Sequence, residues 1–253
     1  MAVVDVNAWV GSWPSQSINA GAAEVRGMLK GVGVERIFMA PLDAAWAQNP
    51  HLPNDLVYDA AQRWADVHPV PIIDPTIATW KGEVDRAQRH SGVRLVKWLP
   101  AYAGYELAAA DECAQALVEA DLSLMVQTRI EDPRSQHPLA QVPDVPVQEG
   151  SDLARRHPEL TVVIGGAPWS VIASYADTCR ELRNLYFDVS QADGMDSLSV
   201  FIHSGMGDQL LYGSHAPLFV PLAGIARIVA DVDEVEAAAI LGGHAEKLLG
   251  LTA

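Results

Sequence analysis

Leu210-Leu211-Tyr212-Gly213-Ser214-His215-Ala216-Pro217-Leu218-Phe219 is an apolar run that ends in Gly-Ser-His and is turned by a proline. A strand buried on both faces reads as such a run. A histidine at its C-terminal end exchanges a proton near neutral pH, so His215 is a candidate acid or base, with loop closure by hydrogen bonding as its plainer role. Lys97 lies in the apolar stretch Val93 to Leu99, where a lysine is costly unless paired or catalytic. An ion pair with Asp74 or Asp43 accounts for it as well as a substrate contact does, and Asp188, in Tyr186-Phe187-Asp188-Val189-Ser190, has the same ambiguity. In Gln127-Thr128-Arg129-Ile130-Glu131, period-two alternation sets Gln127, Arg129 and Glu131 on one face. Arg129 suits a carboxylate, since a guanidinium binds one bidentately. Arg134 and His137 lie on a long proline-rich loop, Glu131 to Pro146, that can fold back over it. The alternative is that the arginines pair with Glu131 and Asp132 and only hold the loop's shape.

These residues need a framework, and length and charge bound it. The chain has 253 residues, 49% of them hydrophobic, enough to bury one large core. No Ser/Gly-rich linker or charge block divides it, so a single domain over 1–253 is expected. Lys+Arg 17 against Asp+Glu 32 gives a formal charge of −15, which repels nucleic acid and anionic membrane surfaces. An anionic substrate must then be met by a local cluster of cations. Cys113 and Cys179 show no metal-ligand spacing and read as core residues of a reduced, cytoplasmic protein. The N-terminus has no basic region, and no apolar run reaches the roughly 18 to 20 residues of a membrane span.

Short β-rich runs alternate with helical patterns throughout, as a parallel sheet with crossover helices requires. The first strand is expected near Ala2 to Val10, the third near Val70 to Ile77, the fourth over Val93 to Leu99, and the fifth over Leu122 to Ile130. Asp233 is the expected N-cap of a final helix, Glu234 to Leu249. Eight β/α pairs in about 250 residues predict an α/β fold, a single (β/α)8 TIM barrel. An open doubly wound sheet is the runner-up, disfavoured because no Gly-rich phosphate loop follows the first strand.

With the elements in order, a resemblance is legible. Val4-Asp5-Val6-Asn7-Ala8-Trp9, Gly92 to Lys97 with Tyr102-Ala103-Gly104-Tyr105, Tyr212 to Pro217, and Leu241 to Leu249 together resemble the amidohydrolase-related branch of the amidohydrolase superfamily. These are TIM barrels similar to aminocarboxymuconate semialdehyde decarboxylase. The resemblance implies Asp-x-His-x-His on the first strand, where this chain has Asn7 and Trp9, and histidines near Gln127 and Gly166. The family's aspartate on the eighth strand, a metal ligand or base, is His215 here. An indole cannot bind zinc and a carboxamide does so poorly. Among the residues implied at the mouth, only Asp5, Asn7 and His215 are left to offer ligands.

The expected protein is therefore an amidohydrolase-like enzyme, a hydrolase or lyase of small-molecule metabolism, metal-independent and without a cofactor, acting on a small carboxylate-bearing substrate. His215 would move the proton, Asp5 orient it, and Lys97 complete the catalytic set. Asn7, Trp9, Gln127, Arg129, Arg134 and His137 would bind substrate. Three alternatives stand beside this: a non-catalytic barrel that binds a ligand or partner, a zinc site with an unusual ligand set, and, for the assembly, a homo-oligomer.

Overall fold

The apolar start of the chain folds as a long strand, β1 (Val3–Trp13), buried along most of its length. In the computed structural model, which describes residues 2–251, this strand is one of the two seams at which the sheet closes. It turns back through a short antiparallel hairpin to β2 (Ile18–Ala20). It also pairs in parallel with β3 (Val34–Pro41), which pairs with β4 (Val67–Pro69). A second parallel sheet holds β5 (Leu95–Trp98), β6 (Ser123–Gln127), β7 (Val162–Gly165), β8 (Leu185–Asp188) and β9 (Leu210–Leu211) in that order.

Backbone hydrogen bonds join the two sheets on both sides. Lys97 N–H donates to Pro71 O and Ile73 N–H to Lys97 O, each at 3.0 Å. Val6 N–H donates to Tyr212 O at 3.0 Å and His215 N–H to Asn7 O at 2.9 Å. All strands but β2 thus form one closed parallel ring, a (β/α)8 TIM barrel. Crossover helices such as Ala22–Gly31, Asp111–Glu119 and Val147–Arg156 pack apolar stripes (Val25 and Leu29; Cys113 and Leu117; Leu153 and Ala154) against its outside. Val4, Phe38, Leu95, Met125, Val163 and Leu211 fill its interior. Among the described residues no helix is long and apolar enough to cross a membrane.

Three elements depart from expectation. The strand expected over Val70 to Ile77 is regular only at Val67–Pro69. Pro71 and Pro75 have no N–H to give a ladder, so the chain beyond runs irregularly, bonded to its neighbours through Val70 N–H to Met39 O and the bonds at Pro71 and Ile73. Residues beyond Gln127 leave β6, so the alternation that grouped Gln127 with Arg129 ends at the strand's last residue. The final helix is capped by Asp233, whose side chain accepts from the Val235 and Glu236 amides at 2.9 Å, but it is interrupted by a π turn at Ala239–Gly243. There the Ile240 carbonyl accepts Tyr212 N–H and Gly242 lets the chain start approach, a Cβ at that position meeting Ala2 O at 1.9 Å.

Candidate active site

A bulge in β1 begins the site. Val6 and Asn7 together stand opposite Phe38 of β3, between the pairs Asp5–Ile37 and Ala8–Met39. The extra residue re-aims the strand, as bulges beside active sites do. Asp5 Oδ1 fixes the distortion by accepting Asn7 N–H at 3.0 Å and Ser214 N–H at 2.9 Å. Asn7 is thereby turned onto polar groups from across the barrel. Its Oδ1 accepts from Lys97 Nζ at 2.6 Å, and its Nδ2 donates to the Asp188 carboxylate and to Gln127 Oε1 at 3.3 Å. Asp5, Asn7, Lys97 and Asp188 are all 0% exposed.

Burial sets the protonation of this cluster. An ammonium in a low-dielectric interior favours loss of its proton, and Lys97 is pulled down to about 7 although Asp188 and Asp5 oppose the shift. Its Nζ also stands 3.7 Å from the centroid of the Trp9 ring, a cation–π contact. Asp5 is pushed up to about 6 by burial, against the hydrogen bonds from Ser214 and Asn7. Its Oδ2 is buried without a hydrogen-bond partner. Burial thus moves the two groups toward neutral pH from opposite sides.

His215 sits beside the cluster rather than in its proton traffic. An indole N–H only donates, so the 3.3 Å contact from Trp9 Nε1 makes His215 Nδ1 an acceptor. Nε2 then carries the hydrogen and donates to Ile130 O at 2.6 Å. Both nitrogens are committed, and burial lowers the imidazole to about 4, so it is neutral at physiological pH. The ring ties the end of the barrel's last strand to Trp9 and to the loop after β6.

The structure brings Asp5, Asn7, Trp9, Lys97, Gln127 and His215 together and leaves the two arginines outside. Arg129 Nε donates to both oxygens of Asp144 at 2.9 and 3.0 Å, with Nη2 adding a further bond to the same carboxylate. Arg134 is exposed and holds Asp132, two residues before it. A carboxylate clamp at Arg129 and Arg134 is therefore not what the side chains form. Neither Asp74 nor Asp43 pairs with Lys97; Asp74 accepts from Thr76 and Asp43 from Ser12. The residue left out of the expected site is Asp188, whose signal was an aspartate ending a buried strand. Gly166, with φ at +77°, lets the chain pass where a Cβ would stand 2.3 Å from Arg129 O.

Above the cluster, at the C-terminal mouth, Trp13, Trp46, Tyr102, Glu131 and the exposed His137 line a cavity of about 280 Å³. Glu131 is joined to the cluster through its neighbour Ile130, whose carbonyl holds His215. Trp46 had no motif or spacing to mark it in the sequence.

Comparison with known proteins now bears on this geometry. A family model described as amidohydrolase matches residues 21–251. No curated protein matches the sequence. Among solved structures, an uncharacterized TIM-barrel protein from Bordetella bronchiseptica is 14% identical, with a TM-score of 0.74 and 99% of each chain covered. The 5-carboxyvanillate decarboxylase of Sphingomonas paucimobilis is 12% identical, with a TM-score of 0.73 and 99% of each chain covered. A 5-carboxyvanillate decarboxylase from Novosphingobium aromaticivorans is 15% identical with a TM-score of 0.70, covering 92% of this chain and 81% of its own. It was crystallised with manganese and 4-hydroxy-3-methoxy-5-nitrobenzoic acid.

The bound manganese of the Novosphingobium neighbour overturns the expectation of a cofactor-free site. Whether the present residues fit such an ion depends on their donors. Asp5 Oδ2 is an orphaned carboxylate oxygen and Asp188 supplies a second carboxylate. Against them, Asn7 and Gln127 are carboxamides, both His215 nitrogens are occupied, and Lys97 brings a positive charge to Asn7 Oδ1. Among the described residues no group of three or more His, Cys, Asp or Glu is placed to hold a metal ion. As arranged, these side chains do not by themselves complete a manganese or zinc site.

Proposed function

Since the chain belongs to the amidohydrolase family, we propose that it is a small-molecule enzyme whose reaction turns on proton donation from Lys97, with decarboxylation of a small carboxylic acid as the reaction class. The observation that carries this reading is the Lys97 ammonium, fully buried, 2.6 Å from Asn7 Oδ1 and held near a pKa of about 7. Such a group is half-protonated at neutral pH and can give its proton without a large driving force. A carboxylate brought from the mouth toward this buried cluster loses its hydration, which favours the uncharged carbon dioxide it releases. The C–C bond breaks, its electron pair stays on the substrate carbon, and that carbon takes the Lys97 proton. Lys97 is left as the neutral amine and recovers a proton from solvent before the next turnover. The charges of Asp188 and Asp5 favour that return to the ammonium form. Names of the structural neighbours favour a lyase over a hydrolase, since two of those described are decarboxylases.

The test is a panel of small aromatic carboxylic acids offered to the purified protein, with carbon dioxide release as readout. Turnover is expected to fall as pH rises through about 7, where Lys97 loses its proton. Lys97→Met is expected to lower it by roughly 10² to 10⁴. Turnover that survives this substitution with the same pH profile would show that the proton comes from another group.

A further inference from the structure

The cavity at the mouth has a chemistry that the buried cluster does not share. Trp13, Trp46 and Tyr102 meet there at centroid distances of 5.9, 5.9 and 5.4 Å, inclined by 50°, 72° and 86°. Rings set at such angles pack edge against face on one another, a corner rather than a stack, and all three line the cavity. Glu131 lines the same cavity and is only 4% exposed. Its carboxylate accepts Trp13 Nε1–H at 3.1 Å, Ser15 Oγ–H at 2.6 Å and Gln16 Nε2–H at 2.9 Å. All three donors are neutral. Among the described residues no Lys, Arg or His nitrogen lies within 4.0 Å of it. The donors fix the carboxylate's direction without cancelling its charge, and a buried charge without a counter-charge is costly. Burial and Glu131 also push the Tyr102 hydroxyl well above its usual value, so the phenol remains neutral.

We propose that this cavity binds an organic cation, an alkylated ammonium group set against the Trp13, Trp46 and Tyr102 corner and neutralised by Glu131. Volume and chemistry agree: about 280 Å³ holds a small quaternary ammonium, the walls are chiefly apolar with three large aromatic rings among them, and the one buried charge is negative. Taken with the reaction assigned to Lys97, on which this extension rests, the substrate becomes a carboxylic acid that also carries an ammonium group. The cation site itself is a statement about binding and is read by binding alone.

The experiment is calorimetric titration of the full chain with choline, with the neutral choline isostere in which carbon replaces the quaternary nitrogen, and with benzoate. Choline is expected to bind at least about tenfold more tightly than the isostere, and benzoate not to compete with it. Glu131→Gln is expected to remove that preference. Trp46→Leu, at a ring 45% exposed, is expected to weaken choline at least about fivefold with an unchanged melting temperature. Should Glu131→Gln fail to fold, the Trp46→Leu comparison and the isostere ratio decide the matter. Equal binding of choline and isostere, no choline binding by the parent, or binding unaltered by Trp46→Leu overturns the proposal. Lys97→Met is expected to bind choline as the parent does, so a failed proton donor and a failed cation site give different results.

Discussion

Burial moves Lys97 and His215 away from the protonation states that their residue types suggest. A histidine is the usual proton carrier at neutral pH, yet His215 spends both nitrogens on Trp9 and Ile130, and burial holds it neutral. A lysine in water keeps its proton far above neutral pH, yet Lys97 is pulled down to about 7 by the same interior. His215→Asn is therefore expected to lower stability by about 1–3 kcal/mol, because the indole N–H or the Ile130 carbonyl loses a partner inside the barrel. The pH profile of turnover should keep its shape in that variant. Thermal melts and a pH-rate profile check both halves. A flattened profile with an unchanged melting temperature would return the proton to His215.

The loop after β6 shows what an element does with its charges. Arg129 stands near its start and Asp144 near its end, and their bonds, together with Val145 N–H to Thr128 O at 2.9 Å, draw the ends together. Between them Gln136 donates to the carbonyls of Glu131 and Val142 at 3.1 Å, so the loop is stitched from within. Arg129→Ala is expected to speed protease cleavage between Asp132 and Val142 while leaving the Lys97 titration where it was. Limited proteolysis and nitrogen-resolved NMR of the lysine side chain measure the two. A changed Lys97 titration would place Arg129 in the cluster after all. The departure of Arg129 from the face of Gln127 has a plain origin. Alternation is valid only while the strand lasts, and β6 ends at Gln127, before the arginine.

For the whole molecule, the buried titrating groups set a pH dependence whose sign follows from proton counting. Lys97 falls from 10.5 unfolded to about 7 folded, so between these values the unfolded chain binds a proton that the folded one has released, and stability rises with pH. Asp5 rises from 3.8 to about 6; in that window the folded state holds the extra proton and stability falls as pH rises. His215 falls from 6.5 to about 4, so its contribution rises over nearly the same range and opposes that of Asp5. The net expectation is a melting temperature that increases from pH 7 to 9 in the parent and is flatter over that range in Lys97→Met. Parallel curves for the two proteins would mean that Lys97 keeps its ordinary pKa in the folded state.

The barrel was legible in the sequence because its cause is local. Eight alternating β/α patterns and the segments resembling amidohydrolases need only periodicity and short motifs, and the closed ring and the family match agree with them. Gathering Asp5, Asn7, Lys97, Gln127 and His215 also followed from that frame, since strand ends of a closed barrel converge on its axis. The bonding partners did not follow. Lys97 reaches Asn7, 90 residues away, and Asn7 reaches Asp188, 181 residues away; a one-residue bulge in β1 decides where that carboxamide points. The protonation of Lys97, the neutrality of His215 and the aromatic corner beside Glu131 depend on burial and on contacts from separate strand ends. Those are properties of the closed tertiary structure, because desolvation and charge coupling act through space, whereas residue type and spacing record only what the chain does along its length.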